Sequence, residues 1–295
     1  MKILYIGVHS HIGWGAEFWL KKAFSDLGIK SELFDYRLER KNHTLSELNK
    51  KITLLSKECD LVFLQRGDNL SPNIFLECKT PIIFWSTEPI QLKTDVDQLL
   101  AHDIFSWIYI HSYSCLKRIK NEFSKIIDKV TVLHNAAPKE IIKFNNQKYI
   151  QAIFNRNLSI RRRYWLFPSK KLIYRVQGKY GQEYYSDLQN SNISINIHYS
   201  RKNIDDFESG IFEAMASGCA IISEKLNSHT LSDLGMDDGI LQVSSPFELR
   251  DKIRLLKFDV DLLNFYQQKS QEAIILNTWH NRANQLKKKF EELLK

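Results

Sequence analysis

Short runs of β-branched and aromatic residues recur along the chain, separated by polar stretches of helical length. The first series is KILYIGV (2–8), KSELFDY (30–36), DLVFLQ (60–65), PIIFWS (81–86), FSWIYIH (105–111) and KVTVLH (129–134). A second series follows as YIQAIF (149–154), KLIYRVQ (171–177), ISINIHY (193–199), CAIIS (219–223) and GILQV (239–243). Strands alternating with helical patterns specify βαβ units and mostly parallel sheets. Polar residues gather in AAPKEIIKFNNQK (136–148), between the two series. The pattern therefore predicts an α/β fold of two Rossmann-like domains, residues 1–145 and 146–275, that face each other across a cleft. Helix-period leucines and charges then continue to the end of the chain. Pro246 after Ser245 opens a helix over 246–257, Asp259 is placed to cap the next over 259–277, helical period continues over 280–295, and 276–295 is expected as a C-terminal helix packing back toward the first domain.

The segment 193–224 carries the strongest local signal. Ile193, Ile195, Ile197 and Tyr199 alternate with Ser194, Asn196, His198 and Ser200, which predicts a strand with one apolar and one polar face. His198 and Tyr199 then emerge at its carboxyl end, where open α/β sheets hold ligands. A charged loop, RKNIDDFE (201–208), leads to a short helix from Ser209 or Gly210 to Gly218, apolar almost all round and so buried. Glu213 places one carboxylate inside that apolar helix. It either serves the helix dipole or accepts hydrogen bonds from a vicinal diol such as a ribose, with the helix N-terminus, at Ser209, Gly210 and Ile211, facing a diphosphate. Arg161, Arg162 and Arg163 follow the strand at 149–154. They read either as a solvated basic turn or as guanidinium groups that clamp a diphosphate and stabilise a leaving group.

FEAMASGCAIIS (212–223) resembles the nucleotide-sugar-binding segment of glycosyltransferases with two Rossmann-like domains, the GT-B fold. It is most similar to group 1 glycosyltransferases of the spore-maturation CgeB-like family. The resemblance extends to IQAIFNRNLSIRRRYW (150–165), QGKYGQEYY (177–185), SNISINIHYS (191–200) and SSPFELRDKI (244–253), and more thinly to PIIFWSTEP (81–89) and HNAAP (134–138). It implies transfer of a sugar from a nucleotide-sugar donor, a UDP-sugar first, to a hydroxyl acceptor, with no metal or other cofactor required. On the matching positions it implies that Glu213 binds the donor ribose and that one of Arg161, Arg162 and Arg163 meets the diphosphate. Asn155, Lys179, Tyr180, His198 and Tyr199 are further donor-site candidates. Related enzymes carry two glutamates with seven residues between them; here the first position is Asp205, with Asp206 and Glu208 as competing acids.

In the first half, GVHSHIGWGAEF (7–18) is a glycine-containing loop between strand and helix without the G-x-G-x-x-G or Gly-Lys-Ser/Thr order of dinucleotide and P-loop sites. Gly13 and Gly15 permit a tight turn or close approach of a phosphate or sugar, as this loop provides in related glycosyltransferases. His9 and His11 lack a third ligand, so no metal site is expected, and His11 is read as a catalytic cleft residue. Glu88, at the end of the fourth strand, is the acceptor-side candidate for general base. Asp95-Val96-Asp97 and Asp259-Val260-Asp261 are read as structural.

Composition narrows the partners. The chain has 295 residues, 42 Lys and Arg against 34 Asp and Glu, and 43% hydrophobic residues. A net charge of +8 favours anionic ligands and surfaces, although the lysines are spread along the chain. No apolar run reaches the ~20 residues that span a bilayer, and the four cysteines show no paired spacing, which fits a cytoplasmic setting with peripheral membrane contact left open. Two other readings remain beside the glycan or glycolipid transferase: a DNA-modifying glycosyltransferase holding nucleic acid on a basic surface, and a catalytically silent nucleotide-sugar-binding protein.

Overall fold

The first apolar series forms six strands: β1 (Lys2–Gly7), β2 (Lys30–Asp35), β3 (Leu61–Gln65), β4 (Ile82–Ser86), β5 (Trp107–Ile110) and β6 (Val130–Val132). The computed structural model that defines them describes residues 1–87, 90, 94–145, 147–199 and 207–295. The strands are parallel throughout, in the order β2-β1-β3-β4-β5-β6. Every residue of β3 and β4 is buried, which is why these strands read as unbroken apolar runs. The helices are α1 (Ala16–Asp26), α2 (Tyr36–Asn42), α3 (Leu45–Ser56), α4 (Asp97–Leu100) and α5 (Tyr113–Glu122). Thr44 and Glu47 form a capping box on α3, and Ser112 caps α5.

The second series builds a five-stranded parallel sheet from β7 (Ile150–Phe154), β8 (Ile173–Arg175), β9 (Ser191–Asn196), β10 (Ala220–Glu224) and β11 (Ile240–Val243). Its helices are α6 (Ile160–Leu166), α7 (Gly181–Gln189), α8 (Ser209–Ala216), α9 (Ser228–Leu234), α10 (Pro246–Phe258) and α11 (Val260–Ile274). Ser245 and Asp259 cap α10 and α11, each accepting a backbone N–H. The order β11-β10-β9-β7-β8 repeats the arrangement of the first sheet, with the first strand between the second and third. In such sheets the crevice beside the first and third strands, at their carboxyl ends, is the topological switch point where ligands are held.

The chain divides into Met1–His134 with His280–Lys295, and Asn135–Trp279. These limits differ from the expected 145 and 275 because 135–145 is tied to the second unit. The Lys143 N–H donates to the Ala216 carbonyl, and Ala137 bridges Thr278. The last helix, α12 (Trp279–Leu293), supplies Phe290 to the first unit's core, where it meets Phe24 and Phe63 at 5.8 Å between ring centroids. The Arg282 Nε there donates to the His134 carbonyl at 2.8 Å.

Two local expectations change. Asp35 ends β2 as a helix cap, accepting the Arg37 and Leu38 N–H groups, so Tyr36 opens α2 instead of closing a strand. Ser194, Asn196 and His198 are buried like the isoleucines between them, because β9 is central and covered on both faces.

Candidate functional site

In the second unit the switch point lies between β7 and β9. Strand β7 delivers Asn155 and Arg156, and the loop after β9 leads into α8. Gly210, in the first turn of α8, leaves room that no other residue would. A Cβ there would lie 2.8 Å from the Tyr184 hydroxyl and 3.2 Å from the Arg156 Cζ, and closer still to Arg156 Nη1. The guanidinium therefore rests on the backbone at the helix N-terminus, where the peptide dipoles already carry positive charge. Two positive ends placed together favour an anion beside them. Glu208, half-buried at the N-cap, meets part of that demand through an ion pair with Arg156 Nε at 3.0 Å, but it also binds Arg162 Nη2 at 2.6 Å.

Glu213 sits one turn further along α8. Tyr185 donates to its Oε1 at 3.4 Å, and Tyr184 also bonds to it. Burial pushes the carboxyl up to about 7, against the pull of Arg156 and the tyrosine hydroxyls. Asn155 Nδ2 donates to the Tyr184 hydroxyl, while its buried Oδ1 has no hydrogen-bond partner among the described residues. Asn155, Arg156, Tyr184, Gly210 and Glu213 thus form one cluster with carboxylate, guanidinium and an unused acceptor. Gly218 ends α8 at φ 67°, the left-handed cap that its position predicts.

The arginine triplet is divided by α6. Arg161 forms a two-pronged pair with Glu224 and donates to the His198 carbonyl at 2.7 Å. Arg162 is buried and bonds the carbonyls of Ile197 and Asn157 as well as Glu208. Arg163 is exposed. The cluster thus holds Arg156 and not the triplet; a single arginine directly after a strand gave little sequence signal beside three in a row. Lys179 pairs with Asp187 at 2.7 Å and touches the Tyr174 hydroxyl at 3.3 Å. Tyr180, at the N-cap of α7, and Tyr199 are exposed. His198 is buried between the Arg161–Glu224 and Arg162–Glu208 pairs, and burial lowers it to about 4, so it is neutral at pH 7. Its Nε2 has no hydrogen-bond partner among the described residues. Asp205 and Asp206 lie outside the described residues.

The first unit has its own switch point between β1 and β3. Gly13 (φ 78°) and Gly15 (φ 90°) turn the loop after β1, and the His11 ring lies on Trp14 at 4.1 Å. After β3 the backbone enters the left-handed region at Arg66 (φ 71°) and Asn69 (φ 58°), a strain that collects at functional sites. Asp68 ties this turn to Arg37 at 2.7 Å, to Tyr36 at 2.5 Å and to Arg66 at 3.4 Å. Burial, then Arg66 and Arg37, lower His11 below its ordinary value, so the imidazole is neutral and able to accept a proton. Arg66 and Asp68 were not among the residues expected from the sequence; the Arg-Gly-Asp-Asn turn after a strand is the cue that marks them. Glu88 lies outside the described residues. Asp97 of the first D-x-D tripeptide pairs with the buried Arg118 at 2.6 Å, and Asp259 of the second is the α11 cap.

No family model and no curated protein matches the sequence. Solved structures do match its three-dimensional form. A glycosyltransferase from Rickettsia africae superposes with a TM-score of 0.68 at 13% identity, over 100% of this chain and 98% of its own. The fold is that of the GT-B glycosyltransferases. HepE of Anabaena, solved with UDP-glucose, gives 0.66 at 13% identity over 99% of this chain and 100% of its own. The DNA-modifying β-glucosyltransferase, solved with and without uridine diphosphoglucose, gives 0.58 at 13% identity over 99% and 100%. These GT-B neighbours share the doubly wound parallel sheets, and at this identity the likeness speaks for architecture. No helix among the described residues is long and apolar enough to cross a membrane.

Proposed function

We propose that this GT-B protein transfers a sugar from a uridine diphosphate donor to a hydroxyl acceptor. The observation that carries the reading is the cluster at the second unit's switch point: Arg156 on the bare backbone of Gly210, with Glu213 one turn below. Arg156 and the α8 N–H groups would meet the diphosphate, Glu213 would accept the ribose hydroxyls, and the unused Asn155 Oδ1 would accept a third donor hydroxyl. That charge compensation comes from the protein, so we expect turnover to survive chelation of divalent metal, although one β-glucosyltransferase neighbour was solved with UDP and Mn2+. We keep the CgeB-like resemblance of 150–165 and 212–223 as part of this reading, and we place the reaction in the cytoplasm.

In the first unit, neutral His11 beside the strained Arg66 turn is our candidate base for the acceptor hydroxyl, with Glu88 and Asp205 retained as alternatives. Calorimetric titration of UDP and UDP-glucose tests the donor site. Wild type should bind; Glu213→Ala and Arg156→Ala should lose affinity while keeping their circular dichroism. Unchanged affinity in both variants would refute the assignment. A DNA acceptor is the second reading, favoured by the net charge of +8 and by the DNA-modifying neighbour. It predicts duplex binding that weakens steeply with salt.

A further inference from the structure

The positive charge of the chain is not evenly distributed. Of its 42 Lys and Arg and 34 Asp and Glu, residues 141–182 hold ten and none, leaving 32 against 34 elsewhere. Half of these ten are engaged within the second unit: Lys148 bonds the Ser217 and Gly218 carbonyls, while Arg156, Arg161, Arg162 and Lys179 pair with Glu208, Glu224, Glu208 and Asp187. Arg163, Lys170, Lys171 and Arg175 are exposed, and none of them has an acidic partner among the described residues.

These cations border an apolar stripe. Ile160, Tyr164 and Phe167 fall at i, i+4 and i+7 along α6 and the 3₁₀ turn that follows it, and so share one face. They are 89%, 66% and 67% exposed, while Arg162, Trp165 and Leu166 fill the inner face. Lys170 Nζ lies 5.2 Å from the centre of the Phe167 ring, which joins charge and stripe into one surface.

We propose that this outer face of α6 and its following turn docks the protein on a bilayer with anionic headgroups. Large apolar side chains standing in water beside lysines with no acidic partner among the described residues match the two components of an interfacial membrane site, burial in the acyl boundary and attraction to anionic lipid. Ile160 and Phe167, the most exposed of the three, carry no hydrogen-bonding group. A phosphodiester backbone would satisfy the lysines and leave them in water, whereas a bilayer receives both. Tyr164 between them has the amphipathic ring that settles at headgroup depth. The inference is independent of the donor site, since none of Ile160, Tyr164, Phe167, Lys170 and Lys171 belongs to that cluster.

Co-sedimentation of the full chain with vesicles tests it. Vesicles of phosphatidylcholine containing phosphatidylglycerol should retain the protein, and pure phosphatidylcholine should not. Retention should fall at about 1 M salt, where the Debye length is about 3 Å. Ile160→Ser with Phe167→Ser should lower partitioning about tenfold or more by removing buried apolar area. Lys170→Glu with Lys171→Glu should lower it about fivefold per lysine. Because these side chains are exposed, far-ultraviolet dichroism should be unchanged in both variants. Equal retention on uncharged vesicles, undiminished partitioning of the Ile160/Phe167 variant, or duplex DNA binding without vesicle binding would each overturn the proposal.

Discussion

Gly210→Ala separates helix propensity from the demands of the site. Gly210 occupies the second position of α8 and is not among the glycines with positive φ, so its backbone accepts alanine. By propensity the substitution should raise stability by about 0.4–1 kcal/mol. The new methyl would instead meet Arg156 Cζ at 3.2 Å and the Tyr184 hydroxyl at 2.8 Å, and would press harder still on Nη1. The far end of the arginine can move and the backbone cannot, so the guanidinium leaves the helix N-terminus. Loss of one charge-assisted hydrogen bond to the diphosphate is worth about 1.5–3 kcal/mol, roughly 10- to 150-fold in the Kd for UDP. Stability should change little, because the propensity gain offsets part of the displaced Arg156–Glu208 pair. Titration calorimetry on wild type, Gly210→Ala, Arg156→Ala and the double variant closes a cycle. Once Arg156 is gone the methyl has no guanidinium to displace, so the two losses should not add. Wild-type affinity in Gly210→Ala, or coupling below about 0.5 kcal/mol, would refute the placement of Arg156 against α8.

Three further outcomes follow from the packing. Glu213 is raised from 4.5 to about 7, so the folded state holds the extra proton and stability falls as pH rises through that window; His198 is lowered from 6.5 to about 4, so its contribution rises with pH from about 4 to 6.5. The slopes oppose one another in wild type: by urea unfolding between pH 4 and 7, Glu213→Gln should leave the rising slope and His198→Gln the falling one. Gly218→Ala places a Cβ at left-handed φ, 3.0 Å from Phe144 and 3.1 Å from Gln271, and should lose about 1–2 kcal/mol or more in denaturant titration. Asp97→Ala takes the two-pronged partner from buried Arg118 and should destabilise the protein by about 3 kcal/mol in thermal melts, with UDP affinity retained.

The elements most visible in the sequence are those whose burial is two-sided or whose caps are local. Strands β3 and β4 stand out because both faces are covered, and α10 and α11 because Ser245 and Asp259 mark their starts. KLIYRVQ promised seven residues of strand and yields three in β8, since an edge strand is paired on one side only. Glu213 was readable from its apolar surroundings. Its neighbours were not: Arg156 and Tyr184 meet α8 through the β7 and α7 connections, and no spacing along the chain encodes that meeting. Conversely, the arginine triplet looked like ligand chemistry and two of its members are bound inside the protein, because α6 turns Arg161 and Arg162 toward the strand ends.

The discontinuity of the first unit bears on how the protein is made. Residues 135–279 are continuous and can complete their sheet as soon as they leave the ribosome. The six strands of the first unit come earlier still, but its core stays incomplete, because Phe290 joins Phe24 and Phe63 only after the entire second unit has been synthesised. Until then the aromatic surface that α12 will cover is open to water and to other chains. Chain order therefore assigns the second-made unit to finish first, and makes the final helix the step that closes the older one.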